Sequence, residues 1–188
     1  MADPRAASGD PRQILADADC LYTQTEVEAA LTEMAQAITA RLANQAPIIL
    51  TVMNGGLIIS GQLLTKLPFP LQQDYLHAGR YGHQTQGGEL HWLATPGLSM
   101  QDRAVLILDD ILDEGTTLLA IKEYCRQQGA TQVLTAVLVD KQHNRKATPG
   151  LTADFTGLTA PDRFLFGYGM DYQGYLRNAP GIYAVKGL

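Results

Sequence analysis

Val27, Leu31, Met34, Ile38 and Leu42 recur at helical spacing, and Thr25 with Glu28 three positions later reads as a capping box before them. The pattern predicts an amphipathic helix of about four turns, closed by Pro47. Ile48 to Met53 reads as a buried strand running into Asn54-Gly55-Gly56, where glycine permits a tight turn before a helix over Leu57 to Leu67. Pro68 and Pro70 lead to a strand near Leu71 to Ala78. The stretch Gly79 to Gly88, four glycines among polar residues, reads as a flexible loop, and Glu89 to Ala94 as a strand pairing back. Val105 to Leu108 is a short, bounded apolar run, as expected of a buried parallel strand, and a helical period follows Gly115 and closes near Gly129. Val133 to Val139 gives a further strand ending in Asp140-Lys141, and Arg163 to Tyr168 the last of the set. Residues 1–13, rich in Ala, Asp, Pro, Ser and Gly without periodicity, read as a mobile leader, and the tail from Asp171 is turn-rich with aromatics. Strands alternating with helices predict an α/β fold, a mainly parallel sheet with helices on both faces, in one domain over residues 14–188.

Composition narrows the class. A length of 188 residues, 46% apolar and 18% charged, is ordinary for a globular chain with a real core. A formal net charge of -5 argues against a nucleic-acid surface, which needs clustered Lys and Arg, but leaves room for a local anion site. No run approaches the roughly 18 apolar residues of a membrane helix, and acids among the first residues break any signal-peptide pattern, so the expected location is cytoplasmic. Cys20 and Cys125 are too few for a disulfide scaffold or zinc cluster and are expected to be reduced and structural.

The chemistry concentrates in Val105 to Leu118, where an apolar run is followed by Asp109, Asp110, Asp113 and Glu114, then Gly115-Thr116-Thr117. Acids at the end of a parallel strand lie on the sheet edge where ligands bind. A glycine with two threonines opening a helix offers backbone N–H groups, hydroxyls and a dipole to a phosphate. The acids can accept hydrogen bonds from sugar hydroxyls, hold magnesium or take a proton. One segment could therefore hold a phosphorylated sugar from both ends.

This stretch closely resembles the diphosphate-sugar signature of the type I phosphoribosyltransferases. Met53-Asn54-Gly55-Gly56, Arg80-Tyr81-Gly82, Val139-Asp140-Lys141, the run Pro161 to Tyr172 and Arg177 follow in the order seen in the hypoxanthine-guanine branch. The resemblance implies a five-stranded parallel sheet under a small hood built from both chain ends, here about 14–24 and 155–188. It implies a magnesium-dependent enzyme of purine salvage that joins hypoxanthine or guanine to 5-phosphoribosyl diphosphate, giving IMP or GMP and diphosphate. A homodimer or homotetramer is expected, with small-molecule substrates and neither nucleic acid nor membrane as partner.

By the same resemblance, Asp109 and Asp110 hold the ribose hydroxyls and line the metal site with Asp171, while Glu114, Gly115, Thr116 and Thr117 wrap the 5-phosphate. Asp113 becomes the general acid or base beside the purine N7, a role that contributes about 10²- to 10⁴-fold to rate. Lys141 donates to the 6-oxo group, Phe164 stacks on the purine, Leu165 offers backbone contacts, and Asp171 lies near the base. Asn54, Gly55, Gly56 and Arg177 face the diphosphate. Each residue has a plainer reading: Asp109 and Asp110 as a solvated loop, Asp113 as a helix N-terminal acid, Lys141 as a loop cation, Phe164 as core, and Asp171 and Arg177 as a surface ion pair.

Two positions depart from the family pattern. Asn54 stands where a lysine or arginine is common, leaving the backbone N–H groups of Gly55 and Gly56 for the diphosphate; the family's equivalent of the Met53-Asn54 peptide is often cis. Arg80 stands where the mobile loop Arg80, Tyr81, Gly82 usually begins with serine, and its guanidinium would lie over the diphosphate on closure. A non-catalytic relative that senses purine or the diphosphate sugar shares the sheet edge but needs neither Asp113 nor a closing loop. A phospho-acceptor receiver domain lacks Gly115-Thr116-Thr117 in this place, and no Gly-x-Gly-x-x-Gly follows a strand as a dinucleotide-binding enzyme requires.

Overall fold

A computed structural model describes residues 9–80 and 90–187, with the side chains of Arg80, Leu90 and His91 outside that description. Tyr81 and Gly82, and with them the expected loop over 81–88, lie outside the described residues. The central layer is a six-stranded sheet in the order β4-β3-β2-β5-β6-β7, made of β2 (Ile48–Val52), β3 (Gln72–Arg80), β4 (Leu90–Ala94), β5 (Ala104–Leu112), β6 (Gln132–Gln142) and β7 (Phe155–Pro161). The pairs β3-β2, β2-β5, β5-β6 and β6-β7 are parallel, and only β4 is antiparallel, returning beside β3. The five expected parallel strands are therefore present with an antiparallel sixth at one edge.

The helices α2 (Gln24–Leu42), α3 (Gly56–Leu63) and α4 (Thr116–Gln127) cover the sheet, and alternation along β5 assigns its residues to the two faces. Leu106 and Leu108 join Ile49 and the buried stripe of α2, whereas Val105 and Ile107 join Ile48, Leu50 and the α4 residues Leu118, Ile121 and Cys125. With both faces covered, β2 and the first five residues of β5 are buried throughout. Burial along β5 first relaxes at Asp109, because there the strand reaches the open edge of the sheet.

Several boundaries differ from the sequence expectation. The capping box is Thr23 with Glu26, not Thr25 with Glu28: Thr23 accepts from the Glu26 backbone N–H, and the Glu26 carboxylate accepts from the Thr23 N–H at 2.8 Å. The helix gains length at its start and runs 19 residues, longer than the expected four turns. The helix expected to reach Leu67 ends at Leu63 and tightens into a 3₁₀ turn over Leu64–Lys66. Gly79 and Arg80, expected in the loop, complete β3, with Arg80 opposite Leu90. Near the start of the chain, Pro11–Asp17 forms a short helix, α1, capped by Asp10, so the expected leader does not extend to residue 13.

The largest correction concerns residues 155–168. Residues 155–161 are not part of the hood but the edge strand of the central sheet, and the expected last strand Arg163 to Tyr168 contributes only β8 (Leu165–Phe166) to a different sheet. That sheet is antiparallel, in the order β1-β9-β8, with β1 (Asp19–Tyr22) from one end of the chain and β9 (Ile182–Ala184) from the other. Phe166, Tyr172, Ala179 and Val185 form its own small core, against which Ile14 of α1 packs. Positive φ at Gly167, Tyr168 and Gly169 ends β8 early and folds the chain back toward the cleft.

A side-chain lock holds the entry to β7. The Asp154 carboxylate accepts from both the backbone N–H and the hydroxyl of buried Thr135, each at 2.8 Å. Asp154→Ala leaves both donors without a partner, which costs about 1–3 kcal/mol. The urea midpoint is expected to fall with the slope m unchanged; an unmoved midpoint would mean that water replaces the carboxylate at Thr135.

Candidate active site

The C-terminal ends of β2, β5 and β6 and the chain after β8 enclose a cleft of about 640 Å³. Its wall contains Asn54, Gly55, Asp109, Asp110, Asp113, Glu114, Gly115, Thr116, Thr117, Lys141, Phe164, Leu165, Asp171 and Arg177, all expected from the sequence. Gly56 is not on that wall. It opens α3 behind the turn, where a Cβ would press on the Leu108 carbonyl. Arg80 ends β3 in backbone only, and its side chain, like Tyr81 and Gly82, lies outside the described residues.

The floor is acidic. Asp109 Oδ1 accepts from the Asp110 backbone N–H at 2.9 Å, and loss of solvent drives both carboxyl groups above the usual carboxylate range. For Asp109 the charge of Asp110 adds to the effect of burial, while Arg177 opposes it at both residues. The backbone closes around Asp110: a Cβ at Gly55 would overlap its carboxylate, and one at Gly169 would strike the Gly55 carbonyl. Gly169 sits at φ +111°, so both the space and the backbone require glycine there. The Met53-Asn54 peptide that leads into this turn is cis.

Arg177 is held over the floor, donating to the Gly169 carbonyl at 2.5 Å and pairing with Asp171 at 2.6 Å. Among the described residues no three His, Cys, Asp or Glu side chains converge into a metal cage, so Asp109, Asp110 and Asp171 do not enclose a cation by themselves. The donor set is nonetheless all oxygen, and magnesium is usually held by one or two carboxylates with the rest of its shell from phosphate and water. Two acids disfavoured as neighbouring anions fit such an ion.

The far wall suits a phosphate. Gly115, at φ +83°, opens α4 with no side-chain cap on that helix, and it packs so closely on Leu112 and Leu151 that a side chain has no room. The first turn of α4 therefore presents its backbone N–H groups, with the threonines, to the cleft.

Around Asp113 the structure adds residues that the sequence reading left without a role. Lys141 Nζ donates to Asp113 Oδ2 at 3.1 Å and lies 3.6 Å from Asp162, whose carboxylate takes a two-pronged bond from Arg145 at 2.5 and 2.8 Å. That fork holds the Asp162 carboxyl far below the usual range and raises the Arg145 guanidinium. The other Asp113 oxygen is 2.6 Å from His143 Nε2. Lys146 Nζ ties the same loop to the Leu112 carbonyl at 2.8 Å and to Asp140 at 2.7 Å. One signal for His143 was available: in extended chain, a residue two positions beyond Lys141 points to the same side. Arg145, Lys146 and Asp162 meet their partners across loops and leave no periodic trace. Phe164, in the cleft wall, is braced edge-on by Tyr172 with ring centroids 5.7 Å apart.

Known proteins resemble this chain in sequence and in fold. Residues 17–173 match the phosphoribosyl transferase domain family. The hypoxanthine-guanine phosphoribosyltransferase of Bacillus subtilis is 31% identical over 167 residues, covering 88% of this chain and 92% of that protein. The enzyme of the same name from Staphylococcus epidermidis is 30% identical over the same shares. A solved hypoxanthine phosphoribosyltransferase from Staphylococcus aureus superposes with a TM-score of 0.86 at 27% identity, over 95% of this chain and 97% of that one. An acidic pair at the end of β5, an uncapped helix N-terminus beside it and a match through most of the chain lead to one conclusion: this protein belongs to the phosphoribosyl transferase domain family.

Proposed function

We propose that the protein is a purine-salvage enzyme that transfers the 5-phosphoribosyl group of 5-phosphoribosyl diphosphate to hypoxanthine or guanine. The observation that carries this reading is the Asp113 carboxylate, engaged by Lys141 and His143, in the same cleft as the Asp109-Asp110 pair and the α4 N-terminus. A sensor of purine or diphosphate sugar needs no proton acceptor at this place.

In the proposed reaction the bond between the anomeric carbon and the diphosphate breaks, and its electron pair leaves with diphosphate. The purine N9 forms the new bond to that carbon, and the proton on N7 passes to Asp113. The sugar ring carries positive charge in the transition state, and the carboxylates of Asp109 and Asp110 stabilise it while accepting from the ribose hydroxyls. Thr116 and Thr117, with the first N–H groups of α4, hold the 5-phosphate, and Glu114 and Gly115 shape the turn before them. Asp109, Asp110 and Asp171 would hold a magnesium ion arriving with the diphosphate sugar, and that ion would supply positive charge to the leaving group. Asn54 and Gly55 border the diphosphate on one side, Arg177 adds positive charge, and Arg80, at the end of β3, would add a second cation. Phe164 packs on the purine ring, and Leu165 follows with its backbone.

Lys141 has three N–H donors. Asp113 and Asp162 take two directions, and the third meets the 6-oxo group of the base; the 6-amino group of adenine cannot accept that bond. The expected homo-oligomer is part of the same proposal. Among the described residues no helix is long and apolar enough to cross a membrane.

Incubation with magnesium, the diphosphate sugar and each of hypoxanthine, guanine, xanthine, adenine and uracil is expected to yield nucleotide from hypoxanthine or guanine, read by chromatography. No product from either would refute the assignment. Asp113→Asn is expected to lower kcat at least about tenfold. In a competition between hypoxanthine and adenine, Lys141→Gln should reduce the preference for the 6-oxo base, and an unchanged ratio would remove its assigned contact.

A further inference from the structure

The ring of His143 is fixed at both nitrogens. Its side chain is 2% exposed, Nδ1 accepts the Arg145 backbone N–H at 3.0 Å, and Nε2 lies 2.6 Å from Asp113 Oδ1. A nitrogen that accepts from an N–H carries no proton, so the ring proton lies on Nε2 and is donated to Asp113. The loop that presents the Arg145 N–H to Nδ1 is itself held at several points. Arg145 is forked onto Asp162, Lys146 is tied to Asp140 and the Leu112 carbonyl, and the Ala147 N–H donates to the Glu114 carbonyl at 2.7 Å.

Asp113, whose side chain is 45% exposed, has no such packing of its own. An exposed carboxylate at a strand end rotates freely unless something holds it, and a proton acceptor must sit within hydrogen-bond reach of its target. His143 supplies that hold from the buried side. We propose that His143 is a positioning residue, whose Nε2–H fixes Oδ1 of Asp113 so that Oδ2 stands beside Lys141 with a lone pair open to the purine N7 proton. This inference rests on the transferase reading above. During transfer the N7–H bond breaks, its electron pair stays with the purine, and the proton moves to Oδ2; His143 keeps its own proton throughout. The usual pairing, in which an acid orients a catalytic histidine, is here reversed.

Two substitutions separate the ring's two bonds. In His143→Gln the amide nitrogen reaches the place of Nε2 and can still donate to Asp113; in His143→Asn the amide oxygen can still accept the Arg145 N–H, but the shorter side chain has no donor that reaches Asp113 Oδ1. Steady-state kinetics with magnesium, the diphosphate sugar and hypoxanthine should show kcat for H143N down about tenfold, with KM for the sugar within about twofold, and kcat for H143Q within about threefold of wild type. Placed on D113N, H143N should cost less than about twofold more, because the group it positions is already disabled. If H143N turns over as fast as H143Q, or if the two losses multiply, His143 serves only the loop and the proposal falls. Nitrogen NMR of the wild-type rings, independent of whether any variant folds, must find the His143 proton on Nε2, and a proton on Nδ1 would overturn the assignment. Wild-type protein that makes no nucleotide would bring down the transferase reading and this inference with it, whereas an active wild type with a silent H143N defeats the inference alone.

Discussion

Asp109 and Asp110 hold two carboxyl groups side by side, away from water, at the end of the central strand β5, and much of the surrounding structure answers that demand. Burial penalises the charge of both, and at Asp109 the charge of Asp110 adds to that penalty, so the pair needs positive charge and hydrogen-bond donors brought to it. The protein supplies part of the need through Arg177, which is anchored on the hood side by the Gly169 carbonyl. Gly55 is set by the Asp110 carboxylate, and Gly169, where a Cβ would strike the Gly55 carbonyl, brings the turn after β8 onto the end of β2. Sheet and hood thus meet at a carboxylate. In the proposed reaction, a sugar that offers hydroxyl donors, gains positive charge as its bond breaks and arrives with a hard cation would complete the set that the acids lack, more fully in the transition state than before it.

How much of this could be read from the amino-acid sequence depended on whether the signal was local. The apolar run of β5 and the stripe of α2 are local patterns, and both elements lie where their periods place them. The cap of α2 was ambiguous because Thr23-Gln-Thr25-Glu26-Val-Glu28 contains the same motif twice, two residues apart; the earlier copy wins and lengthens the helix. Strand β7 has no such pattern. Phe155-Thr-Gly-Leu-Thr-Ala-Pro is half exposed at a sheet edge, and its place is decided by tertiary packing: Gly157 lets α2 approach so closely that a Cβ there would meet Met34 Sδ at 2.7 Å. The more apolar Arg163 to Tyr168 drew the strand assignment instead, although left-handed residues break it after Phe166.

The site divides along the same line. The acids, the glycine and the threonines of the β5-α4 segment lie within nine positions, so a resemblance to a known family could carry them to one place in the fold. The support of Asp113 and Lys141 arrives from the loop after β6 and from the chain after β7, through Arg145, Lys146 and Asp162. Such contacts are made in three dimensions and have no spacing to find.

Those contacts also join base selection to proton transfer. Arg145 takes both oxygens of Asp162, which weakens the claim of Asp162 on Lys141, and the ammonium accordingly lies nearer Asp113, at 3.1 Å, than Asp162, at 3.6 Å. The lysine proposed to read the 6-oxo group thereby leans on the acid proposed to accept the N7 proton. A change at Arg145 or Asp162 would shift Lys141 and with it the surroundings of Asp113, so preference and turnover would move together. Tuning one without the other requires a residue that touches only one of the two groups, and His143, bonded to Asp113 and not to Lys141, is placed to be that residue.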